Sequence, residues 1–100
     1  MQLIKGKVAW IDVFKPSHKD LENLRRLHDF HPIILEELLH PSARGHVENH
    51  KSYLFIVLHI PVYDVATKTS RRAEIDFLVT KNAVVSVRYE PLEQLDTFLN

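Results

Sequence analysis

The sequence predicts an α/β fold, specifically an α/β/α sandwich in which helices pack against a mixed β-sheet. Three observations lead there. An apolar, β-branched run opens the chain and is followed by two segments with leucines at helical spacing. The period then changes to two. The longest apolar run, Tyr53-Leu54-Phe55-Ile56-Val57-Leu58-His59-Ile60, is hydrophobic on both faces, which describes a central strand covered on both sides. At 100 residues, with no internal repeat or linker, the chain reads as one domain spanning 1–100.

The elements follow in order. Lys7 to Phe14 has strand character through Val8, Trp10, Ile11 and Val13, and Pro16 stops it. Ser17-His18-Lys19-Asp20 forms a capping box with Asp20 at N3. Leu21, Leu24 and Leu27 then predict a surface helix burying one leucine stripe. His31-Pro32 ends that helix and starts a second, because a proline in the first turn gives up an N–H that has no partner there. In the second helix Ile34, Leu35, Leu38 and Leu39 form the buried stripe, so Glu36 and Glu37 point away from it. His40-Pro41 closes it. After the Tyr53–Ile60 strand, Asp64 to Ser70 reads as a turn. Ala73, Ile75, Phe77 and Val79 alternate with Glu74, Asp76, Leu78 and Thr80 in the next strand. Lys81-Asn82 supplies a two-residue hairpin turn, and Val84 to Arg88 is the partner strand. Pro91 opens a last helical segment with Leu92, Leu95 and Phe98, which reaches Asn100 with no capping glycine and reads as cut rather than finished.

Composition narrows the function classes. Thirteen basic and thirteen acidic residues cancel, which argues against a broad electrostatic footprint for nucleic acid. Without cysteine there is no disulfide or thiolate zinc site, and a reducing compartment fits. No apolar run approaches the roughly 20 residues of a spanning helix. Both glycines stand alone, so no phosphate-cradling loop is expected, and no serine sits in a nucleophile elbow.

Two constellations carry metal chemistry. His46-Val47-Glu48-Asn49-His50 resembles a shuffled zinc-protease motif, but its glutamate is at i+2, about 200° around a helix from His46, where it is useless as a base beside the metal. In a strand, His46, Glu48 and His50 share one face and could hold a surface zinc ion weakly; the plainer reading is the polar outward face of an edge strand. The adjacent carboxylates Glu36 and Glu37 suit a hard cation such as Mg²⁺, with the missing ligands coming from another segment or subunit; the plainer reading there is a solvated helix face. His59, inside a core strand, reads as a packed and hydrogen-bonded histidine, and Arg71-Arg72 as the solvated end of a hairpin.

Taken together, Trp10-Ile11-Asp12, Phe30-His31-Pro32-Ile33-Ile34-Leu35-Glu36-Glu37-Leu38-Leu39, Arg44 with Val47-Glu48, and Tyr53-Leu54-Phe55-Ile56-Val57-Leu58 resemble the cytoplasmic N-terminal domain of the CorA family of divalent-cation channels. Glu74 to Val79 and Val84 to Arg88 resemble that family's later hairpin. The resemblance covers about residues 8 to 98. It implies a homopentamer that moves Mg²⁺, or in some members Co²⁺, Ni²⁺ or Zn²⁺, with this domain at the cytoplasmic face of the membrane. It also implies a stalk helix, two spanning helices and a Gly-Met-Asn signature that this chain does not contain, so the chain is expected to be a soluble fragment that neither conducts ions nor acts as an enzyme. By the same resemblance Glu37, then Glu36, bind a regulatory cation completed by a neighbouring subunit, which favours the closed channel. The chain departs from the family pattern where Arg-Pro-Lys-Val becomes Arg44-Gly45-His46-Val47, which loosens the turn and adds a titratable ring. Its extra histidines point toward a zinc-handling, ZntB-like branch. Outside the family, the rival readings are a stand-alone protein-interaction module and a small hydrolase using His46, Glu48 and His50.

Overall fold

The structure, a computed structural model, describes residues 2–4, 9–42 and 44–90. Six strands form one sheet: β1 (Gln2–Ile4), β2 (Ala9–Phe14), β3 (His46–Asn49), β4 (Tyr53–Asp64), β5 (Thr69–Thr80) and β6 (Ala83–Arg88). Their spatial order is β1-β2-β6-β5-β4-β3. Only β2 and β6 run parallel; the other pairs are antiparallel, so the sheet is mixed as the sequence predicts.

Helix α1 (His18–Leu27) starts as expected. The Ser17 side chain accepts from the Asp20 N–H while Asp20 accepts from the Ser17 N–H, closing the capping box. Leu21 and Leu24 are buried, but Leu27 is 46% exposed. The helix ends at Leu27, so the last leucine of the stripe overhangs the core. Helix α2 (Pro32–Glu37) ends two residues before Leu39, the last residue of the leucine pattern. Beyond it, Leu38, Leu39 and His40 donate to the carbonyls three residues back, a tightened end that carries the chain to Pro41. Its start is held by His31. The ring Nδ1 accepts from the Ile33 N–H at 3.1 Å, and the His31 backbone N–H donates to the Tyr53 hydroxyl at 3.0 Å.

The register fixes the two faces. Ile11 and Val13 of β2 lie opposite Val85 and Val87 of β6, while β5 and β4 place Leu78, Phe55 and Val57 on that same side. These residues form one core with Leu21 and Leu24 of α1 and Ile34, Leu35 and Leu38 of α2, joined by Phe30 and Tyr53. Each fully buried leucine or phenylalanine here is worth roughly 1.5–3 kcal/mol of transfer free energy. Both described helices therefore cover the same face. A smaller cluster of Ala73 and Ile75, with Ile60, Val62 and Phe77, lies on the opposite face. The helical segment expected from Pro91 onward, and with it the second helical layer of the sandwich, lies outside the described residues.

The β4–β5 hairpin outreaches its neighbours. β3 pairs only with residues 54–57 of β4, and β6 only with residues 75–79 of β5. The remainder is a two-stranded ribbon whose tip turns through Val65–Lys68, with Tyr63 and Val65 exposed. Arg71 near its base forms an ion pair with Glu90. The hairpin between β5 and β6 turns through Lys81-Asn82, as the sequence predicts.

Candidate metal centre

The two sequence constellations meet in space. Glu36 and Glu37 are both exposed, on the side of α2 turned away from its buried stripe. No lysine or arginine pairs with either among the described residues. They line a concavity of about 570 Å³ shared with Pro32, Ile33, His40, Pro41 and Ser42, in which Ile33 is 62% exposed.

Strand β3 is the sheet edge, and it brings the second set. His46 lies opposite Val57 and Glu48 opposite Phe55, so both side chains emerge on the helix-covered face beside the end of α2. One ligand atom each from Glu37, His46 and Glu48 falls within 4.8 Å of the others. His46 Nε2 is 3.1 Å from Glu48 Oε2, and its Nδ1 is 3.2 Å from the Arg44 carbonyl oxygen. His50, the third member of the sequence-predicted strand set, stands farther off. Its Nε2 is 3.8 Å from the other Glu48 oxygen and has no hydrogen-bond partner, while its ring stacks on Tyr53 at 4.7 Å. The compact set thus takes Glu37 in place of His50. Gly45 sets the entry into β3: a Cβ there would lie 3.1 Å from the Val57 carbonyl oxygen.

Behind this rim the structure holds acids that the sequence reading left on the polar side of β5. Glu74 is 7% exposed and Asp76 is fully buried. Tyr89 donates to Asp76 Oδ2 at 2.8 Å. Glu74 Oε1 accepts from the Ser42 N–H at 2.6 Å and lies 3.3 Å from His59 Nε2, which also approaches the Ser42 carbonyl. His59 is therefore packed and hydrogen-bonded, as expected. The remaining oxygens, Glu74 Oε2 and Asp76 Oδ1, are buried without a partner. Burial, first, and the hydrogen bond to Glu74, next, push the Asp76 carboxyl up to about 8; the charges of Glu74 and Glu37 act in the same direction, and only the Tyr89 bond opposes them. At neutral pH Asp76 thus favours its protonated form, which can donate to the Glu74 carboxylate beside it. Burial and the Asp76 charge also push the Tyr89 hydroxyl up, keeping it a donor.

The signal for these buried acids was present. Glu74 and Asp76 alternate with Leu78 on one face, and β4 beside them is apolar on both faces. A strand adjoining one covered on both sides has no solvated face at its centre.

The opposite face of the sheet carries a different arrangement. Asp12 Oδ2 accepts from Arg88 Nη2 at 2.8 Å and from Nε at 3.1 Å. Ser86 donates to Asp12 Oδ1 at 2.8 Å, and Trp10 Nε1 donates to the Ser86 hydroxyl at 3.0 Å. Every member lies on β2 or β6, the parallel pair.

A family model described as "CorA-like Mg2+ transporter protein" matches residues 5–100, nearly the whole chain. The chain belongs to this CorA-like family. The cobalt/magnesium transport protein CorA of Thermotoga maritima is 30% identical over 80 residues, covering 77% of this chain and 22% of that protein. The chain thus spans about a fifth of the curated relative's length. Among solved structures, the soluble domain of CorA from Methanocaldococcus jannaschii superposes with a TM-score of 0.73 at 14% identity, over 92% of this chain and 36% of that one. The full-length CmaX protein superposes at 0.74 and 15% identity, over 99% and 31%. At such identities these likenesses show the fold: that of the CorA soluble domain. Among the described residues no helix is long and apolar enough to cross a membrane.

Proposed function

We propose that this CorA-family domain is the regulatory, cation-sensing part of a Mg²⁺ transport protein. It would sit on the cytoplasmic side of the membrane and work within a homopentamer. A divalent cation, Mg²⁺ or in its place Co²⁺, would bind between Glu37, assisted by Glu36, and acidic groups of a neighbouring subunit. The domain itself would carry out no reaction.

The observation that supports this reading is the state of the two acids on α2. They are exposed, unpaired with any basic side chain among the described residues, and set in an open concavity beside an exposed isoleucine. Mg²⁺ takes one or two carboxylates and keeps most of its water, so half a site per subunit suits it. Carboxylates from two subunits repel, and the ion removes that repulsion. It therefore stabilises whichever arrangement brings the two subunits together, and by that difference in affinity alone it shifts the assembly toward the closed state. The match to the CorA-like Mg²⁺ transporter family and to the cobalt/magnesium transport protein of Thermotoga maritima supports the choice of ion.

The test has two parts. In a full-length protein carrying this domain, reconstituted in vesicles, Mg²⁺ on the side of the domain suppresses flux, and Glu36→Ala/Glu37→Ala raises the concentration required roughly fivefold or more. The 100-residue chain alone binds Mg²⁺ weakly. Tight stoichiometric Mg²⁺ binding that survives the double substitution would place the site elsewhere.

A further inference from the structure

The rim where α2 meets the edge strand holds more than carboxylates. We infer that Glu37, His46 and Glu48 form a second cation site, complete within one chain and selective for a borderline transition ion such as Zn²⁺ over Mg²⁺. It shares Glu37 with the regulatory reading but needs no neighbouring subunit.

Three features argue for it. The first is proximity: the three ligand atoms lie within 4.8 Å of one another, and the His46–Glu48 pair is at 3.1 Å. Zinc at about 2.0–2.1 Å from each donor separates tetrahedral ligands by roughly 3.4 Å. One pair is already close to that spacing, and Glu37, exposed on the last turn of α2, is free to swing the remainder.

The second is the histidine's orientation. His46 Nδ1 faces the Arg44 carbonyl, an acceptor, so a proton on Nδ1 has a partner there and Nε2 is left for a ligand. The Nε2 lone pair then points at Glu48 Oε2, a second acceptor. Two lone pairs at 3.1 Å repel unless a proton or a cation lies between them. A backbone carbonyl holding one ring nitrogen while the other meets carboxylates is how metal-binding histidines are commonly set.

The third is His50. Its Nε2 is buried, has no hydrogen-bond partner and stands 3.8 Å from Glu48 Oε1. With Glu48 Oε2 on the ion, a small movement lets His50 donate to Oε1 and hold the ligand carboxylate in place. The nitrogen ligand decides the class of ion: imidazole favours zinc, nickel or copper, whereas an all-oxygen set favours magnesium.

The test is calorimetric titration of the 100-residue chain with Zn²⁺ and, separately, Mg²⁺. One Zn²⁺ per chain binds, roughly tenfold or more tighter than Mg²⁺. His46→Ala and His46→Gln each weaken Zn²⁺ roughly tenfold or more and leave weak Mg²⁺ binding unchanged; using both guards against a local folding defect, which circular dichroism also reports. His50→Gln, which removes a positioning donor, weakens Zn²⁺ by less than either. His18→Ala, in a histidine outside the rim, and Glu36→Ala leave Zn²⁺ binding intact. Zn²⁺ binding indifferent to His46, or no tighter than Mg²⁺ binding, overturns the inference. Because Glu36→Ala affects only the intersubunit Mg²⁺ reading and His46→Ala only this one, the failure of either is distinguishable from failure of the other.

Discussion

Two buried carboxylates on opposite faces of the same sheet meet opposite fates. Asp12, on the β2–β6 side, receives two bonds from Arg88 and one from Ser86, and is bound into the parallel pair that joins the start of the chain to its last described strand. Asp76, on the helix-covered face, has no basic partner among the described residues; it favours its protonated form beside another acid and receives one hydroxyl bond. The first arrangement ties distant parts of the chain together. The second leaves acidic groups behind the rim where Glu37 is exposed and Glu48 half-buried. One face is neutralised from within, and the other stays acidic toward the surface that the family reading assigns to cations.

The comparison can be broken first at Arg88. Arg88→Met leaves Asp12 buried without its cation and is expected to cost about 3–5 kcal/mol in urea unfolding. Adding Asp12→Leu restores a substantial part, because the penalty lies in the stranded charge.

Asp76→Asn tests the other side. Its folded pKa, about 8, is above the ordinary carboxylate value of 3.8, so the stability contributed by its protonated form is fully present below about pH 4 and is lost as the pH rises through 8. An asparagine accepts from Tyr89, donates to Glu74 and never ionises. The variant should match the parent near pH 4 and exceed it by ~2–3 kcal/mol at pH 9, less than the full shift implies because Asp76 titrates together with Glu74. Unfolding midpoints across that range check it; parallel profiles for the two proteins would show that Asp76 is not the titrating group.

Smaller effects sharpen the picture. Tyr89→Phe removes the one bond that favours the charged carboxylate, so it is expected to cost about 1 kcal/mol at neutral pH and to raise the Asp76 midpoint further, readable by carboxyl NMR. Glu37→Gln removes the smallest contributor and lowers that midpoint by roughly 0.2–0.5 unit. A larger fall would mean that the rim and the buried acids are coupled more tightly than their positions imply.

Much of the fold is legible in local chemistry. The Ser17–Asp20 capping box, the His31-Pro32 start of α2 and the Lys81-Asn82 turn each depend on residues within three positions of one another, so the sequence alone places them. The outward setting of Glu36 and Glu37 follows from the buried Ile34, Leu35 and Leu38 on the same short helix. The exposed Leu27 was illegible because its fate depends on where the core stops, which periodicity does not encode.

The sequence by itself determined helices α1 and α2, strands β2, β4, β5 and β6, and that two acids stand outward on α2; strand β1 was not read from it. Only the tertiary structure decided what those acids face. Strand order put β3 at the edge and turned His46 and Glu48 toward Glu37, nine residues upstream of His46 in the chain but adjacent in space. Strand pairing, likewise, brought Asp12 to Arg88 across 76 positions and buried Asp76 beside Tyr89. Charge is a property of the residue; its partner is set by which strand lies alongside, and that is a long-range choice made by the packing of the whole sheet.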